Sequence, residues 1–151
     1  MEVARAPFYI AFLDDEAIAS KKQLELTDLA DRVWILFGRH VHAELYDKLR
    51  RQMEELGIVG SSIHHVTMAE EAAQLVSQHN GFAVLTETGA WRVAHSGITI
   101  RPLKAEGLTV KTVIVTRSDD NSRLLSEFVR MAIRKLNHNE KPGQGCLPLT
   151  R

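Results

Sequence analysis

The sequence is poor in cysteine, in long apolar runs and in net charge. Its single cysteine, Cys146, excludes an intrachain disulfide framework. Apolar runs stay far below the ~20 residues of a membrane-spanning helix, and no signal-peptide pattern is present. Lys plus Arg equals Asp plus Glu at 19 each, so a basic field that attracts nucleic acid or anionic membranes is missing. We therefore expect a cytoplasmic protein that binds neither DNA directly nor a membrane.

The composition is that of a globular α/β protein. Hydrophobic residues make up 44% and charged residues 25% of the 151 residues, a size that suits one domain or two small lobes sharing strands. Apolar runs predict buried strands at Phe8–Leu13, Arg32–Phe37 and Phe82–Leu85, and further strands are predicted at Ile63–Val66, at Thr112–Thr116 and, from its alternation, at Ile98–Leu103. Between them, apolar spacings of three and four predict helices around 45–56, 69–79 and 121–136, with one helical turn at 26–31. Strands alternating with helices favour a sheet covered on both faces.

Residues 74–87, QLVSQHNGFAVLTE, pose the question of whether Gly81 belongs to a functional loop. A phosphate loop needs its glycines between a strand and the following helix, whereas Gly81 follows a helix and precedes a strand. The G-x-S-x-G motif of a nucleophile elbow is absent. We therefore predict a helix that opens with a capping box from Thr67 to Glu70 and ends at Gly81 with positive φ.

No constellation of side chains predicts catalysis, a metal site or a cofactor. The adjacent His64 and His65 near a strand end point to opposite faces, so surface or hydrogen-bonded histidines are favoured over zinc ligands. The Glu54-Glu55 and Glu70-Glu71 pairs are typical of solvated helix faces. No nucleophile and base can be paired, so we expect no catalytic residues.

A small-anion site at the strand ends is the functional feature that the residues suggest. In an open parallel α/β sheet, ligands collect beyond the carboxyl ends of the strands. Gly38 permits close backbone approach, Arg39 offers a fork of donors, and a helix opening at Thr67 directs N–H groups to the same region. An exposed arginine beside an ordinary helix cap remains an equally good interpretation of these residues alone.

The order of the segments resembles the effector-binding (substrate-binding) domain of LysR-type transcriptional regulators. The stretches that carry the resemblance are LTDLADRVWILFGR, LYDKLRRQMEELGI, VTMAEEAAQLVSQHNGFAVLTE, GITIRPL and TVIVTRSDDNSRLLSEFVRMAI. The family's joint of two glycines and a proline is altered here, with His79 at the first glycine and Thr86 at the proline. The resemblance implies a fold like that of type 2 periplasmic binding proteins. It also implies small-molecule effector binding by Gly38, Arg39, Thr67, Met68 and Thr86, with hinge residues Phe12 and Leu13.

The resemblance also predicts a domain at 1–137 that is incomplete relative to the family. Residues 24–103 would form the second subdomain, residues 8–13 and 110–137 part of the first, and residues 138–151 a disordered tail. A winged helix-turn-helix is not recognisable in the sequence. An incomplete first subdomain would leave apolar surface exposed, so we expect a homodimer, formed by exchange of the crossing elements. The leading hypothesis is a small-ligand-sensing module without enzymatic activity, and the alternative is an interaction protein that pairs with full-length LysR-type regulators without binding ligand.

Overall fold

The computed structural model describes residues 1–14, 16–58, 62–95, 97–119 and 121–138. Its strands are β1 (Glu2–Pro7), β2 (Tyr9–Leu13), β3 (Trp34–Phe37), β4 (Ile63–Val66), β5 (Phe82–Leu85), β6 (Ile98–Pro102) and β7 (Thr109–Val113). The helices are α1 (Glu16–Ala19), α2 (Ala43–Glu55), α3 (Ala69–His79), α4 (Glu87–Val93) and α5 (Arg123–His138), with a 3-10 helix at Leu26–Leu29. The chain forms two units, Ala6–Val110 and a second one that joins Met1–Arg5 to the chain from Lys111 onward. The predicted disordered tail and Cys146 lie outside the described residues, except for His138, which ends α5.

The unit Ala6–Val110 is built on a mixed five-stranded sheet of order β4-β3-β5-β2-β6. Strand β3 runs parallel to both β4 and β5, whereas β2 runs antiparallel to both β5 and β6. Parallel strands need helical crossovers, and α2 and α3 supply them. The carboxyl ends of β3, β4 and β5 therefore lie at the same end of the sheet, which we call the strand-end edge, or simply the edge.

Side chains of the central strands alternate between two apolar layers. Trp34, Leu36, Phe82 and Val84 join the layer that includes Leu49 and Met53 of α2. Ile35, Ala83 and Leu85 point to the other layer, whose helical members are mostly alanine and valine. Because both faces of the sheet are covered, these strands read in the sequence as uninterrupted apolar runs.

The joint between α3 and β5 differs from the prediction in which residue takes positive φ. Asn80 is the left-handed residue, with φ 48°, whereas Gly81 is not among the residues with positive φ. Asparagine tolerates this region because its short side chain hydrogen-bonds locally. Gly81 is required for another reason: a Cβ there would lie 2.6 Å from the carbonyl oxygen of Val33. The glycine thus allows β5 to start in close contact with the residue that precedes β3.

The predicted capping box at the start of α3 is wrong by one residue. The helix begins at Ala69, so Met68 is the N-cap and Glu71, instead of Glu70, occupies the third helical position. The Glu71 carboxylate accepts from the Thr67 backbone N–H at 3.0 Å and from the Thr67 hydroxyl at 3.4 Å. Thr67 therefore contributes as a donor to a carboxylate one turn ahead, and its hydroxyl does not cap the helix.

Other parts of the chain also depart from the prediction. Strand β7 covers residues 109–113 where 112–116 were predicted, and strand β1 and the short helices α1 and α4 were not predicted. Helix α4 follows Thr86, whose hydroxyl accepts from the Gly89 N–H at 3.3 Å. A seven-residue helix that contains glycine gives too short a pattern for recognition.

The second unit holds most of β1 and β7, which pair in a two-stranded sheet, and the helix α5. At the end of this ribbon the Ile114 N–H donates to the Met1 carbonyl oxygen at 2.9 Å. Helix α5 starts beyond Ser122, whose hydroxyl accepts from the Leu125 N–H at 3.2 Å. Between Arg123 and Leu136 each side chain is exposed or only half-buried, so the apolar side chains of α5 are largely uncovered.

Candidate functional site

Three of the predicted site residues follow the parallel strands at one edge of the sheet. The register pairs Phe37 of β3 with Val66 of β4, and Ile35 of β3 with Ala83 of β5. Gly38 and Thr67 are the next residues on β3 and β4, and Thr86 is the next on β5. The Gly38 N–H donates to the Val66 carbonyl oxygen at 3.1 Å, which holds the first two strand ends together.

Arg39 uses its fork of donors within the chain. Its Nε and Nη2 donate to the two carboxylate oxygens of Asp47, each at 2.8 Å. This bidentate hydrogen bond raises the pKa of Arg39 and lowers the pKa of Asp47, in each case ahead of the simple charge attraction. Both side chains are exposed to solvent, so the pair is screened and exchangeable. The charge of Arg39 is thus present at the edge but is neutralised by a neighbouring carboxylate.

Of the other residues at this edge, Met68 and Thr67 are exposed, whereas the space beside the Gly38 backbone is occupied. Met68 is 56% exposed and Thr67 carries the bonds to Glu71 described above. Gly38 is buried, and the space that a side chain would need there is occupied by the imidazole of His40, 2.6 Å from an added Cβ. The backbone opening expected at Gly38 is therefore closed by a side chain that can rotate away.

Phe12 and Leu13 lie away from these residues. Because β2 is antiparallel to β5, its first residue Tyr9 pairs with Leu85, and its last residues point towards the amino ends of β3 and β5. Phe12 is fully buried, and its ring meets that of Phe82 with centroids 6.0 Å apart. The structure thus brings together Gly38, Arg39, Thr67, Met68 and Thr86, and it does not bring Phe12 or Leu13 to them.

Tyr9 is the residue of β2 that sequence reasoning missed at this edge. Partial burial raises the pKa of its phenol, and the negative charge of Glu87 raises it further. The hydroxyl therefore stays protonated and can donate a hydrogen bond at neutral pH. An apolar run does not reveal whether its strand is parallel or antiparallel to its neighbours. Tyr9 could therefore have been predicted at this edge only if the antiparallel pairing of β2 with β5 had been known.

The histidines of β4 make contacts with protein side chains. His64 stacks on His79 with ring centroids 4.5 Å apart, and the His65 Nε2 lies 3.0 Å from the Tyr46 hydroxyl. Within the described part of the chain, no group of three His, Cys, Asp or Glu side chains is placed to hold a metal ion. Over the same residues, no helix combines the length and apolar character that crossing a membrane requires.

The chain is similar to one protein family and to solved structures. A family model described as LysR substrate binding domain matches residues 1–137. No curated protein matches the chain significantly. The solved structure of CbnR, a LysR family transcriptional regulator, has a TM-score of 0.65 and 18% identity, and the match covers 90% of this chain and 46% of CbnR. The chain therefore spans less than half the length of that regulator.

Two isolated regulatory domains match over more of their own length. The MetR regulatory domain from N. meningitidis has a TM-score of 0.63 and 21% identity, with 97% of this chain and 69% of that one covered. The effector binding domain of QuiR, solved in complex with shikimate, has a TM-score of 0.56 and 14% identity, with coverages of 92% and 65%. At these identities the likeness concerns the fold, and it confirms the predicted α/β fold of the periplasmic-binding-protein-like type 2 class.

Proposed function

Since the chain belongs to the LysR substrate binding domain family, we propose that it is a non-enzymatic module that senses a small anionic effector, such as a carboxylate, in the cytoplasm. The family and its structural neighbours are the effector-binding domains of transcriptional regulators. Direct DNA binding is not part of this proposal, because the chain has no excess of basic residues.

The observation that carries the proposal is the convergence of three parallel strand ends at one edge. Ligands in α/β sheets collect at such an edge because the loops there are free to vary and helix N-termini face it. Here the edge offers the guanidinium of Arg39, the Thr67 N–H and hydroxyl, and the exposed side chain of Met68. We place the effector against Gly38, Arg39, Thr67, Met68 and Thr86.

Binding requires an exchange of partners at this edge. An incoming carboxylate would take over the Arg39 donors that now bind Asp47 and the Thr67 donors that now bind Glu71. Both internal pairs are exposed, so releasing either carboxylate to water costs little. Asp47→Asn weakens the internal competitor for Arg39, and we therefore expect that variant to bind a carboxylate more tightly.

Thermal unfolding with a panel of small carboxylates tests the proposal. An effector at 100 times its Kd adds about 2.7 kcal/mol, which is roughly 5–10 °C in Tm for a chain of this size. Arg39→Ala should abolish the rise and Asp47→Asn should preserve or enlarge it, whereas the matched control Arg130→Ala on α5 should leave it unchanged. A rise that persists at full size in Arg39→Ala, or a panel without any active member, would refute the proposal.

Helix α5 supports the second part of the proposal, a homodimer. Leu124, Phe128 and Met131 follow each other at spacings of four and three and are 79%, 60% and 63% exposed. Two copies of this strip contribute six side chains, worth about 9–18 kcal/mol when buried at ~1.5–3 kcal/mol each. That range overlaps the ~4–15 kcal/mol estimated for lost translational and rotational freedom and reaches above it. One strip alone would contribute about 4.5–9 kcal/mol, which does not reach the upper part of that cost.

Sedimentation of two variants with the same charge change tests the dimer. Phe128→Glu should give monomers, whereas Ser126→Glu, on the polar side of α5, should sediment as the unmodified protein does. A monomer at high concentration in the unmodified protein would contradict the proposal. The alternative function, pairing with a full-length LysR-type regulator, predicts co-purification with that regulator and no Tm rise with any carboxylate.

A further inference from the structure

A groove of about 550 Å³ lies beside the edge strand β6, on the side of the sheet away from β4. Its lining comes from β6, the first residue of β2, the end of α1 with the segment after it, and α4. The described lining residues are Tyr9, Ala19, Ser20, Lys21, Lys22, Trp91, Thr99, Ile100, Arg101 and Pro102. Tyr9 alone of these residues also lies at the strand-end edge described above. The groove is therefore a second concavity within the unit Ala6–Val110, and its described lining includes cations and aromatic rings and no carboxylate.

Arg101 is a half-buried cation that forms no ion pair with any described residue. Its Nε donates to the Lys21 carbonyl oxygen at 2.9 Å, and its Nη2 and Nη1 donate to those of Ala19 at 2.8 Å and Ile100 at 2.7 Å. Three carbonyls fix the guanidinium plane, and two of its five N–H groups have no acceptor among the described residues. Carbonyl dipoles leave the net charge in place, so the groove retains a positive potential and spare donors.

The rim of the groove adds a second cation and an exposed aromatic ring. Trp91 is 61% exposed, which is unusual for so large an apolar side chain. Lys22 is exposed and forms no ion pair within the described ranges, whereas the neighbouring Lys21 is held by Asp28. Among the described residues, three carboxylates act on the lining without belonging to it: Asp28 on Lys21, Glu87 on Tyr9, and Asp14, 3.5 Å from the Thr99 hydroxyl.

We propose that this groove binds a small organic anion that carries a flat apolar ring. The ring lies against Trp91, and the anionic group reaches the spare N–H groups of Arg101 and the ammonium of Lys22. The groove's volume falls within the ~300–1,000 Å³ of small-molecule sites. Trp and Tyr faces suit a planar apolar body, and charge-assisted bonds to an arginine suit a carboxylate. This site borders the effector site at Tyr9 but uses different cations, Arg101 and Lys22 in place of Arg39.

The indole N–H signals of the two tryptophans provide the assay. Trp34 is fully buried in the core and Trp91 is exposed at the groove, so each titration contains its own internal control. Phenylacetate is the probe, and phenylacetamide is its neutral counterpart of the same shape. We expect a saturable shift of the Trp91 signal with phenylacetate, an unmoved Trp34 signal, and about tenfold or more weaker binding of phenylacetamide.

Variants locate the probe. Lys22→Gln should weaken phenylacetate binding by about two- to fivefold, since an exposed charge contributes little, and the control Lys111→Gln should not. Trp91→Ala should remove binding. In that variant the backbone amide signal of Thr99, another lining residue, reports on the titration. Arg39→Ala should leave the Trp91 titration unchanged. Equal binding of the amide, an unmoved Trp91 signal, or loss of the Trp91 shift in Arg39→Ala would each overturn the proposal.

Discussion

Replacing Gly81 by alanine tests the close contact between the start of β5 and the residue before β3. The added Cβ would lie 2.6 Å from the Val33 carbonyl oxygen and 3.3 Å from Cδ1 of Ile35. The same Val33 oxygen accepts the Phe82 N–H at 2.8 Å, so the clash falls on a bond that starts β5. The neighbour is backbone within a packed sheet, and it cannot rotate away as the end of a side chain could.

The expected loss of stability has three parts. Overpacking of a well-filled core costs about 1–3 kcal/mol. Weakening the Phe82–Val33 hydrogen bond costs about 0.5–1.5 kcal/mol. Alanine also reduces the conformational entropy of the unfolded chain, which stabilises the folded protein by about 0.4–1 kcal/mol. The three parts together lower the free energy of unfolding by about 0.5–4 kcal/mol. The middle of that range, about 2 kcal/mol, corresponds to a Tm decrease of roughly 4–8 °C.

Urea denaturation followed by circular dichroism measures this difference, and Gly57 supplies the control. Gly57 has φ +71°, and an added Cβ meets no described atom within 4 Å, so we expect Gly57→Ala to suffer the left-handed backbone strain of about 1–2 kcal/mol alone. Asparagine, which tolerates that region, should largely restore stability at Gly57 but not at Gly81. A Gly81→Ala change within about 0.5 kcal/mol of the unmodified protein, as is common for surface substitutions, would refute the steric explanation.

Two further predictions concern a helix cap and an acid-sensitive contact. Thr86→Ala removes the acceptor of the Gly89 N–H and should lower the free energy of unfolding by about 0.5–2 kcal/mol in urea denaturation; no change would mean that water replaces the cap fully. Burial alone would raise the pKa of Asp28. The hydrogen bonds that its carboxylate accepts from the Glu25 N–H and from Lys21 outweigh burial, so the pKa lies below its ordinary value. Its contribution to stability is therefore present above the unfolded pKa and is lost as the pH falls through the folded pKa. Asp28→Asn should flatten this acid-side loss of Tm, and an unaltered profile would contradict the assignment.

Much of the fold could be predicted because its central strands are buried on both faces. The predicted strands Ile63–Val66 and Phe82–Leu85 coincide with β4 and β5. Phe82–Leu85 is a fully buried apolar run between Gly81 and Thr86, which marks both of its ends. The ending of α2 was also predictable, because Gly57 takes positive φ just after Leu56. Helix α4 gave no such signal, because seven residues with a glycine do not establish a helical period.

The site was harder to predict because strand direction and pairing of charges depend on the whole fold. The run Phe8–Leu13 looks the same whichever way it crosses the sheet, so the end that reaches the strand-end edge could not be chosen from residues alone. The bond between Arg39 and Asp47 forms across a turn that brings the first part of α2 back to the end of β3. Neither the residue types nor their spacing in the sequence predicts the contact between Arg39 and Asp47.

These internal contacts have a consequence for selectivity at the strand ends. A carboxylate that displaces Asp47 from Arg39, or Glu71 from Thr67, exchanges one charge-assisted bond for another of the same kind. Such an exchange gains less than a bond to an unpaired guanidinium would, although Arg39 is still needed to hold the incoming charge beside Asp47. The rest of the affinity must then come from the apolar body of the effector against Met68 and from the protonated hydroxyl of Tyr9. Bare anions such as acetate should therefore bind weakly at the strand ends, and selectivity should follow the size of the apolar group that accompanies the charge.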